Sequence, residues 1–258
     1  MNRYDIIQTD IYRDDFKIFG LLYKPHLERF PLVIICHGLG GSHEGSVDFA
    51  HSFASNGIGA YIFDFCGGGP TSKSDGKTTE MSVLTETRDL EAIIDHFKND
   101  PKIDTSRIFL MGKSQGAFVS TIVLSRRPDQ IAAFIGLYPG YVLEDLAIAQ
   151  AKKYEVLPET MEVLDMQVGS IYLKDLLNND IYSLMKNYKK DVLLMHGTDD
   201  SIVPISYTQK ASRYFPNSEF ISIKGAEHGF HGSERNDVIK TVLDFIIRQC
   251  KKVRIRSR

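Results

Sequence analysis

The chain has 258 residues, 43% hydrophobic and 25% charged, with 31 basic against 33 acidic side chains. That length and balance fit one large α/β domain with a sizeable core, and they exclude wholesale disorder and collagen-like repeats. Five of the basic side chains lie after position 250, which leaves the body at −7 and argues against a broad nucleic-acid surface, since such surfaces work by neutralising phosphates.

The N-terminus, Met1–Asp5, runs into alternating charge without an apolar core segment, so no cleaved signal peptide is expected. The elements then follow in order. Phe16–Tyr23 reads as a strand, and Leu32–Cys36 as a short apolar strand buried on both faces, far below the ~20 residues a membrane helix needs. A helix is expected over Ser46–Ser55 and a strand over Ile58–Phe63, followed by a Gly- and Ser-rich loop through Gly76. Leu90, Ile93, Ile94 and Phe97 give helical spacing to Ser82–Lys98. Next come strand Arg107–Met111, helix Gln115–Ser125 and strand Ala132–Leu137. After a gap come strand Val192–Met195, helix Ile205–Phe215, strand Glu219–Ile223 and helix Asn236–Gln249. Alternating strands and helices predict a parallel sheet covered on both faces. The gap, 138–188, is too long for a structureless loop and reads as an inserted cap, rich in Leu, Met and Tyr. The basic tail, 251–258, reads as a frayed, solvated end; an acidic partner, anionic membrane or nucleic acid is the alternative. Cys36, Cys66 and Cys250 are too few and too scattered for a disulfide framework or a zinc site. The expectation is a soluble cytoplasmic protein, one domain over 1–258, with no membrane or nucleic-acid partner.

Gly112-Lys113-Ser114-Gln115-Gly116 is a G-x-S-x-G motif between an apolar strand and a helix. Such a turn lifts a serine Oγ out of the sheet, and its glycines let the backbones pass. A serine hydroxyl needs a base, and the base needs an orienting acid. The acid candidates are Asp199 and Asp200, just after a strand; the base is His228, framed by Gly225 and Gly229, in preference to His231. The chain order Ser, Asp, His is that of the α/β-hydrolase arrangement. Glu227, His228 and His231 lack a fourth ligand, so no metal site is expected. His37-Gly38-Leu39-Gly40-Gly41 offers the backbone N–H of Leu39 as a partner for that of Gln115 in an oxyanion hole. His37 and His196 read as loop-fixing hydrogen bonders. Near-matches to a P-loop at Gly112-Lys113-Ser114 and Gly76-Lys77-Thr78 fail because Arg107 and Thr71 stand where glycine is required. A zinc-peptidase match fails because Val47 follows His43-Glu44 where histidine is needed.

The sequence resembles the α/β-hydrolase superfamily, and within it the small bacterial cinnamoyl/feruloyl-esterase-like carboxylesterases, over roughly residues 16–250. The resemblance rests on His37-Gly38 with Gly41, Asp64-Phe65 with Gly67, Ser74-Asp75-Gly76, the Ser114 motif, His196-Gly197 with Asp200 and Val203-Pro204, and Glu227-His228. It implies Asp200 as the acid and a cap after the sixth strand. It also implies ester hydrolysis by Ser114, Asp200 and His228 through an acyl-enzyme, without cofactor. The sequence departs from the pattern at Leu39, where an aromatic is frequent, at Lys113, which replaces the usual His, and in a longer Gly67–Gly76 loop. Tyr141, Met161, Met166 and Tyr172 in the cap are the candidates for lining a pocket for small aromatic or short-to-medium acyl esters. A peptidase or thioesterase would use the same machinery, and a silent hydrolase-fold binding protein is the reading from another class. The sequence sets no oligomeric state, and a homodimer is compatible with it.

Overall fold

The computed structural model describes residues 3–256; Met1, Asn2, Ser257 and Arg258, which belong to the terminal segments read above, lie outside the described residues. In chain order the elements are β1 (Tyr4–Gln8), β2 (Ile11–Arg13), β3 (Phe16–Ile18), β4 (Gly20–Pro25), β5 (Phe30–Cys36), α1 (Val47–Ser55), β6 (Gly59–Phe63), α2 (Val83–Lys98), β7 (Ile103–Lys113), α3 (Gln115–Arg126) and β8 (Ala133–Leu137). They continue with α4 (Leu143–Ala151), β9 (Thr160–Val163), β10 (Met166–Gly169), α5 (Ser170–Leu177), α6 (Ile181–Met185), β11 (Val192–Gly197), α7 (Ile205–Tyr214), β12 (Ser218–Ile223) and α8 (Gly232–Arg256).

Eight strands form one sheet in the order β1-β4-β6-β5-β7-β8-β11-β12, parallel from β6 to β12, with β4 antiparallel to β6 and β1 antiparallel to β4. The unbroken apolar run of β5 is explained by this position, because a central parallel strand is covered twice. Leu32, Ile34 and Cys36 face a core shared with α2 and α3, while Val33 and Ile35 face a second core built on α1 and α8. The chain runs from β5 to β6 on one side and returns to β7 on the other. That reversal opens a crevice at the carboxyl ends of β5 and β7, where ligands bind in open α/β sheets.

Two features differ from the sequence reading. The expected strand Phe16–Tyr23 is two strands, because at Phe19 the N–H donates to Ser74 Oγ (2.8 Å) and the carbonyl accepts from Asp64 (3.0 Å). β3 therefore pairs with β2, and β4 leaves for the main sheet. The closing helix is longer than expected at both ends, and it continues through 251–256 where a frayed end was the sequence reading. Lys and Arg are good helix formers and suit the negative end of the helix dipole, so nothing there stops the helix. Between β8, the sixth strand of the sheet, and β11, where the sequence reads as an inserted cap, the chain forms α4, the β9–β10 hairpin, α5 and α6. Among the described residues no helix is long and apolar enough to cross a membrane.

Candidate active site

β7 ends at Lys113 and α3 starts at Gln115, so Ser114 alone makes the turn, at φ 50° and ψ −120°. A non-glycine residue held there costs on the order of 1–3 kcal/mol and persists only where its surroundings fix it. Here the Ser114 N–H donates to the Leu137 carbonyl (3.0 Å), and its own carbonyl accepts from Ala117 (3.0 Å) and Gly140 (2.9 Å). A side chain at Gly116 would put Cβ 2.4 Å from the His37 carbonyl oxygen, and one at Gly112 would meet Ala117 at a similar distance. The two glycines are thus required for close approach, and Ser114 is left projecting at the head of a 12-residue helix.

Asp200, just past the end of β11, is buried, while Asp199 beside it is exposed and accepts from Thr198 Oγ1 (2.7 Å). Asp200 Oδ2 accepts from His228 Nδ1 (2.7 Å) and His196 Nε2 (3.0 Å); Oδ1 accepts from the N–H groups of Ile202 (2.9 Å) and Val203 (2.8 Å). Burial alone would raise this carboxyl's pKa. The hydrogen bonds from both histidines and Val203 outweigh it and hold the group well below the usual carboxylate range. A carboxylate on Nδ1 fixes the His228 tautomer with its proton there, leaving Nε2 as the basic nitrogen. The His228 ring is set by Tyr138, whose ring lies edge-on at 4.7 Å, and Tyr138 directly follows the Leu137 that holds Ser114. Among the described residues Ser114 Oγ makes no hydrogen bond to His228; such contacts commonly tighten only when substrate is bound.

The loop after β5 lies against the serine. A Cβ on Gly38 would sit 3.0 Å from Ser114 Cβ, and one on Gly140 would sit 3.1 Å from the Gln115 nitrogen. His37 braces this loop: Nε2 accepts from the Phe65 N–H (2.9 Å) and Nδ1 donates to the Gly38 carbonyl (2.7 Å). Burial pushes the His37 pKa down to about 4, so the ring is neutral at pH 7, as this donor–acceptor pattern requires. Among the described residues, neither the Leu39 nor the Gln115 N–H has a protein acceptor. Lys113 is buried, with Nζ donating to the Gly45 carbonyl (2.8 Å). Arg235 of α8 donates to the same carbonyl (2.7 Å), to Gly229 O (3.3 Å) and to Asp48 (2.8 Å). One guanidinium therefore ties the histidine loop to the segment after the glycine loop. Burial, reinforced by Arg235, pushes the Lys113 pKa down to about 7.

Comparison with known proteins agrees with this architecture. Residues 28–178 match the family described as serine aminopeptidase, S33, and residues 178–251 match one described as TAP-like protein. The chain is an α/β hydrolase. It belongs to the first of these families, whose model spans more than half of it. It is 27% identical over 231 residues to the putative esterase YitV of Bacillus subtilis, covering 82% of this chain and 87% of that protein. Among solved structures it is similar to Est1E from Butyrivibrio proteoclasticus with ferulic acid bound (TM-score 0.85, 24% identity, 94% of this chain and 99% of that one). A monoacylglycerol lipase from Paleococcus ferrophilus is similar at a TM-score of 0.70 and 18% identity, covering 95% of this chain and 99% of that one.

In this hydrolase the segment 138–188 packs over the α2/α3 face of the sheet. Tyr141 is buried, its hydroxyl 2.9 Å from Thr121 Oγ1 of α3. Tyr172, on α5, is also buried, and its hydroxyl donates to Gln115 Oε1 (2.6 Å). Met161 and Met166 stand on the two hairpin strands, and Met166 Sδ lies 3.8 Å from where a Gly40 Cβ would be. An apolar hollow of about 210 Å³ opens within the segment, walled by Leu143, Leu146, Leu164, Tyr172, Leu173 and Leu176. A roomier depression of about 560 Å³ lies at the opposite end of the sheet, and its charges are paired, Arg248 with Glu219 and Lys252 with Asp191. No group of the active site lines it. Tyr138, Glu86 and Arg235 were not singled out in the sequence. Only the unusual lysine before the serine hinted at the Arg235 contacts; the other two carry no local signal.

Proposed function

We propose that this hydrolase cleaves carboxylic esters through an acyl-enzyme formed on Ser114. The observation that carries the reading is the Asp200–His228 pair, with Nδ1 committed to the carboxylate, at the same sheet edge as a serine on a strained strand-to-helix turn. In the first step Ser114 Oγ bonds to the acyl carbon while His228 Nε2 takes the hydroxyl proton. Asp200 holds and stabilises the resulting imidazolium. Negative charge gathers on the carbonyl oxygen, for which the N–H groups of Leu39 and Gln115 are the donors. Collapse breaks the ester C–O bond, and His228 returns the proton to the departing alcohol. Water then repeats the sequence on the acyl-enzyme, releasing the carboxylic acid and free Ser114. These steps need no metal or cofactor.

The substrates proposed are small aromatic or short-to-medium acyl esters. Met166, whose sulfur approaches the glycine loop, favours them, because ligand pockets are mostly apolar and Met adapts to varied shapes. The likeness to Est1E with its ferulic acid makes cinnamoyl and feruloyl esters the first to try. The serine aminopeptidase family makes a peptide bond the competing target. Parallel p-nitrophenyl ester and p-nitroanilide series decide between ester and amide. Ser114→Ala tests the reading itself: ester turnover should fall by about 10⁶, the loss seen when the nucleophile of such a triad is removed. Turnover near wild type in a folded variant overturns it, and no turnover by the wild type leaves a binding protein of hydrolase fold.

A further inference from the structure

Gln115 enters the reading above only through its backbone, yet its side chain is buried and fully engaged. Its Oε1 accepts from the Tyr172 hydroxyl (2.6 Å), and its Nε2 donates to Glu86 Oε2 (2.9 Å), with Met81 Sδ 3.8 Å away. Tyr172 lies on α5 and Glu86 in the first turns of α2, so one side chain bridges two elements far apart in sequence. A second bond runs in parallel: Ser82 Oγ, which caps α2, donates to Asp175 Oδ2 of α5 (2.5 Å). Tyr172 and Asp175 are three apart and Ser82 and Glu86 four apart, so each pair presents one helix face to the other. Seating of α5 on α2 and placement of Gln115 are therefore a single arrangement. Glu86 Oε1 is buried without a partner among the described residues, and burial raises the pKa of this carboxyl well above the usual range.

We propose that Tyr172 and Glu86 are positioning residues for the oxyanion hole, clamping the Gln115 side chain from both ends so that its backbone N–H points at the reacting carbonyl oxygen. The inference rests on the serine-hydrolase reading. An oxyanion donor works only within about 2.7–3.1 Å of the developing charge, and small misplacements are costly. Gln115 is the first residue of α3, with no intrahelical partner for its N–H; its peptide is held on the Ser114 side by the bonds from Ala117 and Gly140 to the Ser114 carbonyl, and its side chain adds an anchor that reaches α2 and α5. The ring of Tyr172 also walls the apolar hollow, which puts the clamp in contact with whatever fills that space.

The test compares Tyr172→Phe, Glu86→Leu and Glu86→Gln with wild type on one ester. It measures kcat and KM, affinity for phenylboronic acid, which forms a tetrahedral serine adduct, and fluorophosphonate labelling of Ser114. Tyr172→Phe and Glu86→Leu should each lower kcat about tenfold, a fraction of the 10²–10³ lost when a donor itself is removed. KM should stay within twofold, and boronate affinity should fall by the same factor as kcat. Glu86→Gln, which keeps a side-chain oxygen as acceptor for Gln115 Nε2, should keep both within twofold of wild type. If Tyr172→Phe and Glu86→Leu change only KM or thermal stability, or nothing, while wild type labels and turns over, the clamp is refuted and the hydrolase reading stands. Loss in Glu86→Gln equal to that in Glu86→Leu also refutes it, because the role would then require a carboxyl group. A wild type that neither labels nor turns over removes both.

Discussion

Replacing Lys113 with methionine should stabilise the protein more at acid than at alkaline pH. The methionine keeps the stem and its packing and removes a buried ammonium whose pKa falls from 10.5 to about 7. A depressed lysine means that the unfolded chain binds a proton the folded chain lacks, so burial costs most below pH 7 and the cost fades as pH rises toward 10.5. Between pH 6 and pH 9 the wild type should recover about 2–3 kcal/mol that the variant never lost, at 1.36 kcal/mol per unit of pKa difference. The lost hydrogen bond to Gly45 works against the variant by about 1 kcal/mol, so its advantage at pH 6 exceeds its advantage at pH 9 without needing to be positive at both. Titrating groups that do not interact with Lys113 are common to the two chains and cancel in the difference. The chain has no tryptophan, so urea unfolding followed by circular dichroism at pH 6, 7.5 and 9 is the suitable assay. A difference between the two proteins that stays constant within about 0.5 kcal/mol across that range, well below the linkage figure, refutes a buried lysine titrating near neutrality.

Asp200→Asn should cost on the order of 10⁴ in kcat by favouring the wrong His228 tautomer, whereas Asp199→Asn, at an exposed carboxylate, should change kcat less than about tenfold; steady-state kinetics on one ester separates them. Glu86→Gln should raise Tm at pH 8 more than at pH 5, because the folded chain holds a proton that the unfolded chain releases above the ordinary carboxylate value, and scanning calorimetry at both pH values reads this directly. Met161→Ala and Met166→Ala should alter kcat/KM unequally across an ester series, by up to about 1–3 kcal/mol per lost contact, and an unchanged ranking of esters would mean that the hairpin does not select substrate.

The residues most legible in the sequence were those tied to strand ends and to glycines. Ser114, Asp200 and His228 each follow an apolar run, and the turn at Ser114 needs its flanking glycines sterically, so the chain order announces the arrangement. The choice of Asp200 over Asp199 came from family spacing, not from local chemistry; in three dimensions it follows from which carboxylate is buried beside His196 and His228. The hairpin Thr160–Gly169 left no mark because its four-residue strands are too short for a clear alternation. The break at Phe19 depends on Ser74 and Asp64, more than forty residues away. Glu86 and Arg235 read as ordinary polar positions of helices, since a buried polar side chain is recognised by partners that only the fold supplies.

The central claim, that Ser114 is a nucleophile served by His228, is tested most directly by treating the native protein with a fluorophosphonate and locating the adduct by mass spectrometry. One adduct per chain is expected on the peptide carrying Ser114, with labelling lost in Ser114→Ala and slowed at least about 10³-fold in His228→Ala. An unlabelled native protein, or an adduct that persists in Ser114→Ala, would contradict the account.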